Sequence, residues 1–393
     1  MSQAGPNSVV VLTPPGRGAV ATVRVTGPQA TELVAARFLP FGSQSLAERA
    51  LGEIAVGRWQ DAAGEEVVVC RRTPTAVEIH CHGGVAAPAA IVASLQAAGC
   101  DELDWQTWIA ATAASSRQAQ AWEMLAHART ERTAGILLDQ AQGALERELE
   151  QIVVQVRAGE NAQARERILK LIGRRTFAQH LVQPWRVAIA GRPNVGKSSL
   201  INALVGYQRS LVYDAPGTTR DLVAVNSALA GWPIELTDTA GLRATPDELE
   251  AAGVALAEER LAVADAILLV CDGSRTWSDD DAQLLARWPC AILIVNKIDI
   301  EHLDATRPAG LRTSAVTGAG LAELERALIE RLVPDPPLPG AAVPLADADY
   351  ERLDRALQLI DSVKAAETLS SMLAKLWEIE PAHPLLPESP AGQ

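Results

Sequence analysis

Apolar positions recur along the chain with two different periods, and the change of period marks its organisation. In the first hundred residues, short β-rich runs alternate with turns that contain Gly and Pro. Val9 to Leu12, Ala21 to Val25, Val67 to Cys70 and Val77 to His80 predict strands, because β-branched side chains suit a half-buried pleated sheet. Thr31 to Phe38 and Ala87 to Ala97 predict helices, which makes residues 1–115 a small α+β domain. From Ser116 to about His180 Gly and Pro become scarce, and Ala, Glu, Gln and Arg dominate. There Leu145, Leu149, Ile152 and Val156 fall on one helical face flanked by charge, the first part of a helical domain over 116–183.

From Trp185 the pattern becomes strand, turn, helix, repeated. Trp185 to Ala190 predicts a strand, Ser198 to Val205 a helix, and Ile234 to Leu236, Ala266 to Val270 and Ala291 to Val295 buried strands. This is the signature of a doubly wound α/β domain over 184–335, closed by the Pro-rich stretch Val333 to Gly340. Beyond it, Tyr350 to Trp377 predicts a helix with Leu353, Leu357 and Ile360 on one face. Pro381 to Gln393 predicts a disordered tail. Helical segments on both sides predict one helical domain, 116–183 and 336–393, interrupted by the inserted α/β domain. The expected fold class is therefore multidomain, α/β and α.

Composition narrows the functional classes. A formal net charge of −13 argues against a broad electrostatic grip on nucleic acid, although a local RNA contact stays open. Five scattered cysteines without a CxxC pair point to a reduced, cytoplasmic protein. No apolar run approaches a membrane span, and the N-terminus lacks the features of a signal peptide. His80 and His82 share one strand face with Cys81 opposite, and without a second ligand cluster no zinc site is expected. Ala164 to Arg175 is locally basic, either a solvated helix face or a contact for RNA or a partner.

Chemistry concentrates in the inserted domain. Gly191 to Ser198 fits GxxxxGKS/T between a predicted strand and a predicted helix. In such a loop the backbone N–H groups of Asn194, Val195, Gly196, Lys197, Ser198 and Ser199 converge on phosphate oxygens at a helix N-terminus. Lys197 is expected on the β- and γ-phosphates, and Ser198 on Mg²⁺. Asp238, Thr239, Ala240 and Gly241 supply a carboxylate near Mg²⁺ and an N–H for the γ-phosphate. Asn296, Lys297, Ile298 and Asp299 follow a strand. The Asp299 carboxylate can accept from both N1–H and the exocyclic amine of guanine, a donor pair that adenine lacks. Ser314, Ala315 and Val316 lie where a backbone N–H can meet guanine O6. Between the loop and Asp238 stand Asp214, Ala215, Pro216, Gly217, Thr218 and Thr219, with Thr219 placed to complete Mg²⁺ coordination. Five segments in this order predict a P-loop domain that binds and hydrolyses GTP. Leu242 occupies the position where other GTPases carry a water-orienting Gln, so hydrolysis needs another water-positioning group.

With these residues in place, the chain resembles the MnmE (TrmE) family of tRNA-modification GTPases, as a divergent and C-terminally shortened member. Thr13 to Val20 followed by Val23 to Gly27 resembles the family's opening strands, Glu78 to Gly84 its ELxGHGG segment, and Gln142 to Leu145 part of its central helices. The resemblance implies a K⁺-stimulated GTPase acting in wobble-uridine (cmnm5U) modification of tRNA with the flavoprotein MnmG. It implies K⁺ bound by Asn194, Tyr213, Ala215 and Thr218, standing where an arginine finger would stand. It makes Glu250, with Lys197 and Thr219, catalytic, Glu250 acting on the attacking water through a bridging water. It also implies a homodimer, through the N-terminal domain and transiently through the GTPase domains, and a formyl-tetrahydrofolate held in part by Arg24 and Glu78. Two segments depart from the family pattern. The stretch Gly99 to Ser116 lacks the family's folate-binding Lys, and no cysteine follows Cys290 where the family ends in CxGK. These leave open a paralogue that keeps the GTPase switch without tRNA chemistry, or a nucleotide-binding module with negligible turnover.

Overall fold

The computed structural model describes residues 7–14, 16, 18–61, 64–207, 224–238, 261–300, 302, 304–363 and 366–377. The chain divides into two compact units that meet at Ala113 and Ala114.

The first unit is a seven-stranded sheet with the order β3-β4-β5-β6-β2-β1-β7. Its strands are β1 (Ser8–Val11), β2 (Val20–Thr26), β3 (Phe38–Pro40), β4 (Ile54–Trp59), β5 (Glu66–Thr73), β6 (Ala76–His82) and β7 (Asp101–Leu103). All neighbours pair antiparallel except β1 and β7. Helices α1 (Ala30–Ala35) and α2 (Ala86–Ala97) bury Val34, Ile91 and Leu95 against Val23, Val25, Val69 and Ile79. A third helix, α3 (Trp105–Thr112), is capped by Asp104, whose carboxylate accepts from the Thr107 N–H.

The four predicted strands are present, but three more were not predicted. In β4 the large residues Ile54 and Val56 face outward while Ala55 and Gly57 point inward, so its apolar pattern is inverted. Gly57 is required there, because a Cβ would lie 2.1 Å from the Leu39 carbonyl oxygen on β3. The helix predicted to Phe38 stops at Ala35; Phe38 opens β3 instead, buried and paired with Trp59.

The second unit opens with α4 (Ser116–Leu125), α5 (Glu131–Ala141), α6 (Ala144–Arg157), α7 (Asn161–Ile172) and α8 (Arg175–Gln179). A six-stranded sheet follows, in the order β13-β12-β11-β8-β10-β9. It is built from β8 (Trp185–Ala190), β9 (Ala224–Leu229), β10 (Trp232–Asp238), β11 (Ala266–Asp272), β12 (Ile292–Asn296) and β13 (Leu311–Arg312). Its strands are parallel apart from the β9–β10 hairpin. Helices α9 (Lys197–Tyr207), α10 (Asp279–Arg287) and α11 (Leu321–Leu332) accompany the sheet. The chain then returns to helix with α12 (Asp347–Ser362) and α13 (Ala366–Leu376).

Leu145, Leu149, Ile152 and Val156 of α6 share one core with Ile168 of α7, Leu353 and Ile360 of α12 and Leu373 of α13. Segments before and after the α/β domain thus make one helical core. The helix predicted from Tyr350 to Trp377 is two helices, since Val363 is extended at φ −97 and ψ 114. The break returns Leu369, Leu373 and Trp377 to the same core. Not all helices before β8 belong to it: Ile136 and Leu137 of α5 and Ala178 of α8 join the core of the α/β domain. No described helix is long and apolar enough to cross a membrane. The predicted tail, Pro381 to Gln393, lies outside the described residues.

Candidate nucleotide site

The strand β8 is buried except at Arg186, and it delivers the chain into the loop at 191–196. The loop turns tightly because three residues take positive φ: Gly191 (145), Asn194 (64) and Gly196 (97). A Cβ on Gly191 would lie 2.2 Å from the Val270 carbonyl oxygen, so glycine is also a packing requirement there. The loop closes on α9, whose first residue is Lys197. The Lys197 side chain is 5% exposed, and its ammonium donates to the carbonyls of Gly191 and Arg192, both at 2.9 Å. Burial lowers its pKa, and the nearby Asp238 carboxylate works against that shift. The ammonium is thus poised inside a ring of backbone, an arrangement suited to an incoming phosphate.

Ser198 follows, and its hydroxyl donates to Asp238 Oδ2 at 2.8 Å. Asp238 ends β10, pairs in register with Ile189 of β8 and is buried. A hydroxyl and a buried carboxylate side by side are hard oxygen donors that fit Mg²⁺, one as ligand and one behind a bound water.

The segment expected to recognise the base is bonded directly to the loop expected to hold phosphate. Asn296 ends β12, is 1% exposed, and its amide donates to the Val195 carbonyl at 3.0 Å. The Lys297 ammonium donates to the Asn194 carbonyl at 2.7 Å and to Asp272 Oδ2 at 2.6 Å. Asn296 Oδ1 accepts from Ala315 N–H at 3.2 Å and from the Thr313 hydroxyl at 3.3 Å. Asp299, on the surface, accepts from the buried Ser314 hydroxyl at 2.5 Å, which leaves its second oxygen for a ligand. Val316 is exposed and Ser199 lies on the outer side of α9.

Two members of this network were missed in the sequence, Asp272 and Thr313. Asp272 stands at the end of β11, in register with Asn296 at the end of β12. Burial works to raise its pKa, but hydrogen bonds from Lys297 and Ser274 outweigh it and hold the carboxyl below its usual range. A polar residue closing an apolar strand beside a motif strand was the available signal.

Tyr213, Asp214, Ala215, Pro216, Gly217, Thr218, Thr219, Thr239, Ala240, Gly241, Leu242 and Glu250 lie outside the described residues.

In the first unit, Arg24 and Glu78 are register partners on β2 and β6, and Arg24 Nη2 donates to Glu78 Oε1 at 2.6 Å. Arg72 approaches the other Glu78 oxygen at 3.5 Å, and Arg24 stands 5.2 Å from the centroid of the Trp108 ring. The Arg24 Nε is buried without a hydrogen-bond partner. Trp108 lies in the stretch that carries no lysine, and nothing in its periodicity singled it out. Cys81 is buried while His82 is exposed, as strand alternation requires, and the described residues contain no cluster of three or more His, Cys, Asp or Glu suited to a metal.

A family model described as GTP-binding protein TrmE N-terminus matches residues 9–128, and one described as 50S ribosome-binding GTPase matches residues 186–297. The tRNA modification GTPase MnmE of Synechococcus sp. (strain WH7803) is 34% identical over 370 residues, which is 82% of this chain and 80% of that protein. The protein of the same name from Synechococcus sp. (strain RCC307) is 36% identical over 360 residues, 80% of this chain and 78% of its own. Among solved structures, the G domain of the T. maritima FeoB iron transporter is 29% identical, over 38% of this chain and 99% of that one, with a TM-score of 0.28.

Proposed function

This chain belongs to the MnmE family of tRNA modification GTPases, and from that premise we propose that it couples GTP hydrolysis, stimulated by K⁺, to wobble-uridine modification of tRNA. That it is a P-loop GTP hydrolase follows from the family and from the match over 186–297. The observation that carries the reading further is the bonding of Asn296 and Lys297 to the carbonyls of Val195 and Asn194. Base recognition and phosphate binding are then joined by hydrogen bonds, so a guanine nucleotide is gripped at both ends by the same network.

In this reading the amides from Asn194 to Ser199 hold the phosphates, Lys197 offsets charge on the β- and γ-phosphates, and Ser198 and Thr219 ligate Mg²⁺ with Asp238 behind a water. Thr239, Ala240 and Gly241 meet the γ-phosphate; Asp299 reads guanine, with Ser314, Ala315 and Val316 at O6. Asp214, Pro216 and Gly217 carry the loop that, through Tyr213, Ala215 and Thr218 together with Asn194, holds K⁺. Bound Mg²⁺ and K⁺ supply positive charge to the transferring phosphoryl group. Glu250 orients the water whose oxygen bonds to the γ-phosphorus as the bond to the β–γ bridging oxygen breaks, releasing GDP and phosphate. Turnover is expected to be at least about tenfold faster in KCl than in NaCl and to fall about 100-fold in Glu250→Ala. Equal rates in both salts, with Glu250→Ala fully active, refute the mechanism.

The outer face of the first unit supports a homodimer. Leu39, Phe41, Ile54 and Val56 are each about half exposed, on the edge formed by β3 and β4. The chain is expected to sediment as a dimer and Ile54→Asp as a monomer; a monomeric wild type removes this part. The unpartnered Arg24 Nε beside Trp108 supports a flat, anionic ligand such as formyl-tetrahydrofolate at Arg24 and Glu78. A folate titration followed by Trp fluorescence, unresponsive in wild type, would sink it. The alternative, a GTPase switch without tRNA chemistry, is favoured by the lysine-free stretch from Gly99 to Ser116. Mass spectrometry of wobble uridines from cells lacking the gene separates the two, since unchanged tRNA supports the alternative. MnmG is the expected partner, tested by co-purification.

A further inference from the structure

A cleft of about 660 Å³ opens between α6 and α7, closed at one end by residues 340–342, and none of the chemistry above uses it. Pockets for small uncharged ligands are mostly apolar. This one is lined by Arg147, Arg167, Lys170 and Arg174, with Glu148 and Glu166 as its carboxylates. Arg167 Nη1 donates to both Glu148 oxygens, at 2.8 and 2.9 Å, so that pair is neutral as a unit. Arg147 donates to the Gln142 carbonyl at 2.6 Å, and Arg174 to the Ala342 carbonyl. Arg174 Nε is buried without a hydrogen-bond partner. Three cations therefore line the cleft, opposed in its lining by Glu166 and, behind Arg174, by the charge of Asp335.

The surroundings strengthen this field. Between Arg157 and Arg175 stand six basic and two acidic side chains, in a chain whose net charge is −13. Arg167 and Lys170 sit one turn apart on α7, and Arg174 follows just beyond its end. From Lys170 to Arg174, at about 1.5 Å of rise per residue, the row is about 6 Å long, still more than a single phosphate group spans. Lys170 and Arg147 are exposed, so the row is reachable from solvent.

We propose that this cleft seats successive phosphodiesters of an RNA strand, with Arg147, Lys170 and Arg174 as the phosphate contacts. The proposal rests on the tRNA reading above and gives it a surface. Such contacts position a strand without reading its bases. They also explain how an acidic chain holds RNA: locally, at one seam of its helical core, rather than over a broad basic face.

The test is a fluorescence-anisotropy titration of a labelled, unmodified tRNA transcript with the full chain at a series of KCl concentrations. Lys170→Ala and Arg147→Ala are each expected to weaken binding about fivefold and to lower the slope of log affinity against log salt by about one. Lys170→Arg should restore both. Basal GTP turnover and guanine-nucleotide affinity should stay unchanged, which excludes loss of the fold. Wild-type affinity and slope in both alanine variants overturn the cleft while leaving the tRNA reading standing. Failure of the wild-type chain to bind the transcript at all overturns both.

Discussion

At Gly196 the backbone runs at φ +97, and a Cβ there would lie 2.4 Å from the amide nitrogen of Asn296. That amide is the one that ties the base segment to the loop through Val195. Gly196→Ala must therefore strain the backbone and push Asn296 out of place at once. Guanine-nucleotide affinity is expected to fall roughly tenfold or more, read by titration with a fluorescent GDP analogue, while the circular dichroism spectrum is retained. Asp299 is held from one side by Ser314. Asp299→Asn replaces one acceptor oxygen by a donor, so the preference for GDP over ADP in competition titrations is expected to drop at least about tenfold. The motif residues were legible because their chemistry demands particular side chains at particular spacings. Asp272 and Thr313 were not, because each acts only through a neighbour brought by another strand.

Among the elements, the β9–β10 hairpin links the two kinds of structure in the second unit. Its tip, Ala230 and Gly231, is held by α5 and α11: Arg132 Nη1 donates to the Ala230 carbonyl at 2.9 Å, and Glu325 accepts from the Ala230 N–H at 3.0 Å. The Arg132 guanidinium covers the Trp232 ring at 4.2 Å, and Phe177 meets that ring edge-on at 5.5 Å. The far end of β10 is Asp238, at the candidate Mg²⁺ position. Arg132→Ala loses one hydrogen bond and one exposed cation–π contact, about 1 kcal/mol. Hydrogen exchange at residues 229–232 should accelerate severalfold, and unchanged protection would show that the clamp is idle. Helical periodicity found α6 from Leu145 to Val156, because one continuous face is buried. It did not find β4, whose inward positions are Ala55, Gly57 and Trp59, nor the break at Val363.

Across the whole second unit, His180 sits where the leading helices pass into β8. Its ring stacks on Trp185 at 3.5 Å, and its Nε2 lies 3.6 Å from Asp265. Burial lowers its pKa, and the pull of Asp265 in the other direction does not compensate. The folded chain then binds fewer protons here than the unfolded chain, whose histidine titrates near about 6.5. Stability from this site is full above that pH and is lost as the pH falls below it. The urea midpoint is expected to fall between pH 7 and pH 5, and His180→Gln should flatten that fall. Equal pH slopes in the two proteins would remove His180 as the cause.

The sequence by itself determined the local parts: the GxxxxGKS loop between strand and helix, the candidate guanine-reading segment after a strand, the buried strands of the α/β domain and the amphipathic α6. Each is written in contiguous residues, where period and spacing carry the information. The tertiary structure alone decided which distant residues complete these parts. It bonded Asp272 to Lys297 and Thr313 to Asn296, packed α5 and α8 on the α/β core, and set Trp108 beside Arg24. It also gathered Arg147 with Lys170 and Arg174 around one cleft. Such partners come from different elements, and their meeting depends on register and packing that no local period encodes.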